Sequence, residues 1–310
     1  MDKTELTLVL PGLAVILEQK INASIIPKYL AKIISKGQFK KDSIGLSRVL
    51  FNHFSTEPCT ATDLPMVNLA TGRSRTLRAD PCYLHADRDR LLLFADNIDL
   101  SKEESTALIA EIQPLFDDFG GILSQSSNNE WLLDMQELPE LNFSALPEVS
   151  GKGVDGHLLI GRDQQDWIRL WNEVQMKLYA SEINQRRAED NKLPINSVWF
   201  WGAGQFEAKT SPYLQVQGLS RLLSLLAEKT DTSLIKNSNF SVMSLTSGKH
   251  LWLAEQLDID HDWLQQIETF DAQVLQPLWQ HCRSGKLMIN VEIPNYGSYK
   301  LSALDCWKFW

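Results

Sequence analysis

Residues 197–201 read SVWFW. Every position after the serine is β-branched or aromatic, so the run fits a strand covered on both faces, as strands are inside a parallel sheet. Gly202 and Gly204 then end it. At the carboxyl end of a strand in an open α/β sheet, glycines let main-chain N–H groups approach an anion. A tight turn after a core strand is the other reading. A strand, turn and helix also follow one another near the start, as LTLVL (6–10), Pro11-Gly12 and LAVILEQ, with an interruption at Pro27. In 310 residues these signals predict an α/β fold with room for a smaller second domain.

The stretch 55–76 is rich in Thr, Pro, Ser and Gly and reads as a loop or a passage between domains. From Arg78 a polar edge leads to the strand RLLLF. Ser101 with Glu104 three residues on is a capping-box signature for a helix whose Ile109, Ile112 and Leu115 or Phe116 share a face. GILSQSS and NEWLLDMQ follow as two strands joined by an Asn-Asn turn. This order predicts a small α+β insertion, residues 77–150, in a main α/β domain made of 1–76 and 151–310. The main domain reads on through one long helix, 164–187, with Trp167, Leu170, Trp171, Val174 and Leu178 on its buried stripe. Further helices are expected over 216–229 and 261–281, and a strand over 287–293.

Composition narrows the function classes. A net charge of −9, with KGQFKK as the one basic cluster, argues against nucleic-acid binding. The apolar run 6–17 is too short to span a bilayer and follows no positively charged start, so no membrane association and a cytoplasmic location are expected. Cys59, Cys82, Cys282 and Cys306 are scattered without metal spacing and read as reduced, mostly buried thiols. Most of the ten tryptophans fall after Asp166. Trp263, Trp279, Trp307 and Trp310, with the terminal CWKFW, are the candidate surface for a protein partner.

Asn184-Gln-Arg-Arg187, Leu193-Pro194-Ile-Asn196 and Trp201-Gly202-Ala-Gly204 resemble the HPVNxxR, PAN and WGxG run of the archaeal-type cofactor-independent phosphoglycerate mutases. Ser181 and Glu182 stand where that family has His-Pro, and Ile195 replaces an alanine. The segment Ala79 to Leu91 and the stretch Asn172 to Met176 are similar to the bacterial RPFE-type regulatory proteins, themselves distantly similar to the mutases. The resemblance implies a mainly parallel, alkaline-phosphatase-like sheet flanked by helices. It also implies two metal ions and a serine nucleophile in the working enzymes. Here Pro11 precedes Gly12 where the family's first ligand is the Asp of a strand-ending Asp-Gly, so no metal centre and no cofactor are expected.

Arg187 offers a bidentate fork, Asn184 and Asn196 supply amide donors, and Gly202 and Gly204 expose backbone. Together they could bind a phosphorylated or carboxylated small molecule. Alternatively, Arg187 serves the helix end and the asparagines organise a turn. Asp258, Asp260, His261 and Asp262 could hold one cation, or form an acidic helix start. Asp87, in the dense polar stretch from Asp80 to Arg90, could do acid/base work, or belong to a salt-linked strand edge. The weak catalytic candidates are therefore Asp87, Asp260 and His261. The functional expectation is a regulatory or ligand-binding protein on a mutase-like scaffold that has lost its metals. A phosphomutase or phosphoester hydrolase with a reorganised site is the alternative.

Overall fold

A computed structural model describes residues 4–20, 26–57, 63–96, 98–257 and 262–308. The chain divides into two compact units, the first formed by Met1–Pro58 with Ala208–Trp310 and the second by Cys59–Glu207. The second unit is thus about twice the 77–150 insertion expected from sequence. The boundary moves because the long helix and the SVWFW strand, assigned above to the main domain, pack within the second unit.

Unit one opens with β1 (Thr4–Val9), a turn of helix α1 (Leu13–Val15) that widens into a π turn at Ile16–Lys20, and α2 (Lys28–Lys36). β2 (Gln38–Lys41) and α3 (Leu46–Phe54) follow. Unit two begins with α4 (Met66–Thr71), the long β3 (Thr76–Asp87) and β4 (Arg90–Phe94). It continues through α5 (Lys102–Asp117), β5 (Gly121–Ser127), β6 (Glu130–Met135), β7 (Leu141–Asn142), α6 (Leu146–Val149) and β8 (Ile160–Gly161). α7 (Gln164–Tyr179), α8 (Glu182–Glu189) and β9 (Ser197–Trp201) complete it. Back in unit one come β10 (Gln215–Gln217), α9 (Arg221–Lys229), β11 (Ser233–Ile235) and β12 (Gly248–Leu253). α10 (Trp263–Phe270), a π turn at Asp271–Leu275 and α11 (Gln276–Arg283) lead to β13 (Leu287–Ile293), β14 (Gly297–Leu301) and α12 (Ala303–Cys306).

Unit one carries a seven-stranded sheet in the order β11-β10-β12-β1-β13-β14-β2. The ladders from β11 to β13 are parallel, and those of β14 with β13 and β2 are antiparallel. This is the expected mainly parallel α/β sheet. β1, in its centre, is buried as LTLVL predicts, and Leu6, Leu8, Ile289, Val291 and Trp252 share a core with Leu30 and Ile33 of α2 and Leu278 of α11. The π turn between α10 and α11 interrupts the single helix expected over 261–281. It carries the buried Asp271, whose Oδ1 accepts from Leu30 N at 2.7 Å and Tyr29 N at 3.0 Å, joining the start of α2 to the sheet's other covering helix. The helix expected over 216–229 loses its first turn to β10, and Ser220 caps what remains by accepting from Leu223 N.

Unit two is antiparallel: β4-β3-β6-β5, with β9 added to β3. The capping box at Ser101 and the Asn128-Asn129 hairpin turn stand where the sequence signals put them. The SVWFW strand does not lie in a parallel sheet. Its described ladder is the antiparallel one with β3, from Arg78↔Trp201 to Cys82↔Ser197. Its burial comes instead from several elements, with Trp167 of α7 edge-on to Phe200 at 5.0 Å, Phe116 of α5 edge-on to Phe200 at 6.1 Å, Trp171 edge-on to Trp199 at 6.0 Å and Arg78 over the Trp201 ring. Val198 sits opposite Pro81, which has no N–H to offer, and its carbonyl accepts from Trp171 Nε1 at 2.8 Å. The long helix breaks at Ala180, where Ser181 starts α8 by accepting from Ile183 N.

Candidate functional site

The glycine turn expected after β9 is present, and a carboxylate of the chain itself occupies its N–H groups. Gly202 N donates to Asp63 Oδ1 at 2.9 Å and Ala203 N donates to Oδ2 at 3.0 Å. Leu64 N donates to Oδ1 as well, at 2.8 Å. The turn needs glycine, since Gly202 has φ 83° and an added Cβ would stand 2.9 Å from Arg78 Cγ. Val67 N donates to Gly202 O and Phe206 N to Asn68 Oδ1, so the segment 63–68 clamps the whole Gly202–Phe206 loop. Burial raises the Asp63 carboxyl to about 6, against the pull of its three N–H donors. Gly204 has φ 107° and completes the bend.

The other three residues expected to line this pocket are engaged elsewhere. Asn184 Nδ2 donates to Leu178 O and Ile195 O, and its Oδ1 accepts from Ile195 N, all within 2.8 Å. Asn196 extends β9 with a side chain, its Oδ1 accepting from Leu84 N and its Nδ2 donating to Leu84 O. Arg187 is 1% exposed and donates to Leu193 O, Asp99 O and, at 3.0 Å, to Glu104 Oε1. Burial opposes ionisation of Glu104, yet the Ser101 N–H and the Arg187 guanidinium hold its carboxyl below the ordinary range. The asparagines thus organise the turn, whereas Arg187 reaches Leu193 O, Asp99 O and Glu104 rather than capping the end of the long helix. The family-like run is a structural lock in which α8, the Pro194 loop, β3 and α5 are held together.

Asp80 is fully buried and central to a second lock. It accepts from Arg78 Nε and from Trp131 N, and Trp201 Nε1 donates to its Oδ2 at 2.7 Å. Arg78 pairs with Asp80 and Glu130 and lies over the Trp201 ring, 5.2 Å from its centroid. Burial raises the Asp80 carboxyl and Arg78 opposes that rise. Asp87 stands exposed at the last pair of the β3–β4 hairpin, opposite Arg90, beside the turn at Arg88 (φ 55°). Its side chain is open to solvent at the end of the hairpin.

In unit one the connections part at the sheet's middle: β10 leads outward through α9 to β11, whereas β12 leads past β1 to β13. Ligands of open α/β sheets settle at the carboxyl ends of strands around such a point. A cleft of about 660 Å³ lies there, at the exit of β12, between Asn239-Phe240, Trp252 to Leu257 and one side of α10 with the π turn. Asn239, Phe240 and the stretch from Trp252 to Gln256 carry no assignment from sequence, although the apolar HLWLA run is a legible strand signal, whereas Asp262 to Val274 fall in the helix expected over 261–281 and its acidic start.

A two-cation centre needs carboxylates and imidazoles converging at these strand ends. β1 runs instead into Pro11 and Gly12, and among the described residues no three His, Cys, Asp or Glu side chains gather as metal ligands. The described residues do not fit such a centre. Asp258, Asp260 and His261 lie outside the described residues. On the same unit, Tyr213 Oη stands 2.7 Å from His53 Nδ1, and His53 Nε2 stands 2.8 Å from Glu292 Oε2, which Asn290 joins through Oε1. This relay, also missed from sequence, adjoins a pocket of about 210 Å³.

Of the late tryptophans, Trp279 is core and Trp307 is half exposed with Arg283 stacked 4.1 Å over it. Trp310 and Cys59 lie outside the described residues. Cys82, Cys282 and Cys306 are free and buried. Among the described residues no helix is long and apolar enough to cross a membrane.

Comparison with known proteins gives two short sequence matches. One is a probable 2,3-bisphosphoglycerate-independent phosphoglycerate mutase of Geobacter sulfurreducens, 36% identical over 58 residues, 19% of this chain and 14% of that protein. The other is a 2,3-bisphosphoglycerate-independent phosphoglycerate mutase of Methanosarcina mazei, 28% identical over 71 residues, 23% of this chain and 18% of that protein. The chain is distantly similar to these mutases. The matched stretches span less than a fifth of either relative's length. No family model matches. Among solved structures, a cofactor-independent phosphoglycerate mutase from Thermoplasma acidophilum aligns over 97% of this chain and 90% of its own, with TM-score 0.42 and 14% identity. A protein of Pyrococcus horikoshii aligns over 97% and 88%, with TM-score 0.48 and 13% identity.

Proposed function

We propose that this chain is a regulatory or ligand-binding protein on a phosphoglycerate-mutase-like scaffold, without the two-cation chemistry of the mutases. The observation that carries this reading is Asp63 seated on the N–H groups of Gly202 and Ala203. A phosphoryl group approaching that turn meets a resident carboxylate, and like charges at such distances repel strongly in a partly buried site. Arg187, the one guanidinium in the family-like run placed to answer a phosphate, is already bound to Glu104. The similarity of Ala79 to Leu91 to the RPFE-type regulatory proteins supports the regulatory part of the reading. The buried free thiols support a reducing, cytoplasmic setting.

The test is elemental analysis of the purified chain together with an assay for interconversion of phosphoglycerates. Substoichiometric Mn and Zn with no turnover above a protein-free blank is expected. Two bound ions per chain, or turnover, overturns the reading.

A further inference from the structure

We propose that the cleft at the exit of β12 binds an uncharged, polyhydroxylated ring, a free sugar or the ribose of an unphosphorylated nucleoside. The proposal rests on the reading of the chain as a ligand-binding protein and names the chemistry of its ligand. Charge is the first argument. The described lining carries the carboxylates of Glu255 and Asp262 and no Lys, Arg or His. A phosphate or carboxylate would enter without a counter-charge, so the phosphorylated or carboxylated ligand expected from sequence does not suit this cleft.

Amides are the second argument. Gln256, Gln265, Gln273 and Asn239 all line the cleft and are exposed to it or to solvent. Each amide offers both donors and an acceptor, which matches a hydroxyl that also does both. The third argument is the wall. Trp252 stacks on Phe240 at 4.2 Å and 8°, and on Phe270 at 6.0 Å, giving an apolar aromatic surface beside the amides. Trp252 itself is 3% exposed, so Phe240 and Phe270 present most of this surface, and among the described residues its buried Nε1–H has no acceptor. The volume of about 660 Å³ lies within the ordinary range for small-molecule sites.

The test is a thermal-shift and calorimetric titration of the full chain with glucose, maltose, adenosine and uridine, each beside its phosphorylated counterpart. At least one neutral compound should raise the melting midpoint, and its phosphorylated form should bind at least tenfold more weakly. Gln273→Leu, at an exposed position, should weaken the neutral ligand about tenfold. Glu255→Lys should narrow the gap between the neutral and phosphorylated forms. The sugar series and the nucleoside series tell the two sources apart. If no neutral compound shifts the midpoint, or the phosphorylated form binds as well, the proposal fails. Metal content and turnover judge the underlying reading separately.

Discussion

Asp63 gives unit two a pH dependence with a definite sign. Its carboxyl titrates near 3.8 in an unfolded chain and near 6 in the fold, because burial disfavours the charge. Its contribution to stability is therefore greatest below the unfolded value and declines as pH rises through about 6. The loss is on the order of 1–2 kcal/mol once solvent screening is allowed for. Urea unfolding from pH 4 to 7 should show this slope in the native chain and lack it in Asp63→Asn. At Asp80 the stakes are higher: Arg78→Met strands a buried carboxylate and should cost about 3–5 kcal/mol. Removing the exposed pair through Arg73→Ala should cost less than about 1 kcal/mol. The GAG turn and the asparagines were legible in sequence as polar organisers. Asp63 was not, because the chain offers no local sign that a carboxylate in a Thr- and Pro-rich stretch will meet a turn far ahead of it.

Among elements, those whose signals are local came through. The Ser101–Glu104 box reads directly from spacing, and the β5–β6 hairpin from Asn128-Asn129. β3 was hidden by Pro81, which demotes a strand unless a neighbour replaces the missing hydrogen bond. Here Trp131 N turns to the Asp80 carboxylate beside it, and Trp171 takes the Val198 carbonyl across from it. The break between α7 and α8 was hidden because the apolar stripe stops at Leu178 without a Gly or Pro to mark the end. Ser181 makes that break by capping α8, so Ser181→Ala should lower stability by about 1 kcal/mol in chemical denaturation. Trp167 and Trp171, assigned above to a buried stripe, do pack as core.

At the scale of the molecule, the parallel sheet was legible and the partition was not. A hydrophobic run with both faces covered does not say what covers it, and for β9 side chains of α5, α7 and β3 share the task. Unit two is one unbroken stretch of chain with its own core around Trp131, Phe116 and Leu133. Residues 59–207 expressed alone should therefore unfold cooperatively and keep near-ultraviolet circular dichroism; a featureless aromatic spectrum would contradict this.

The place of β1 in unit one has a consequence for biosynthesis. Both of its sheet neighbours, β12 and β13, lie more than two hundred residues further along the chain. As the ribosome advances, the intervening unit is finished while this apolar opening strand still has no lateral partner. A nascent chain arrested at about residue 245, with unit two clear of the ribosome and β12 not yet made, should accordingly resist protease across its middle and be cut near its beginning. The interval until β13 emerges is when this polypeptide most needs a chaperone.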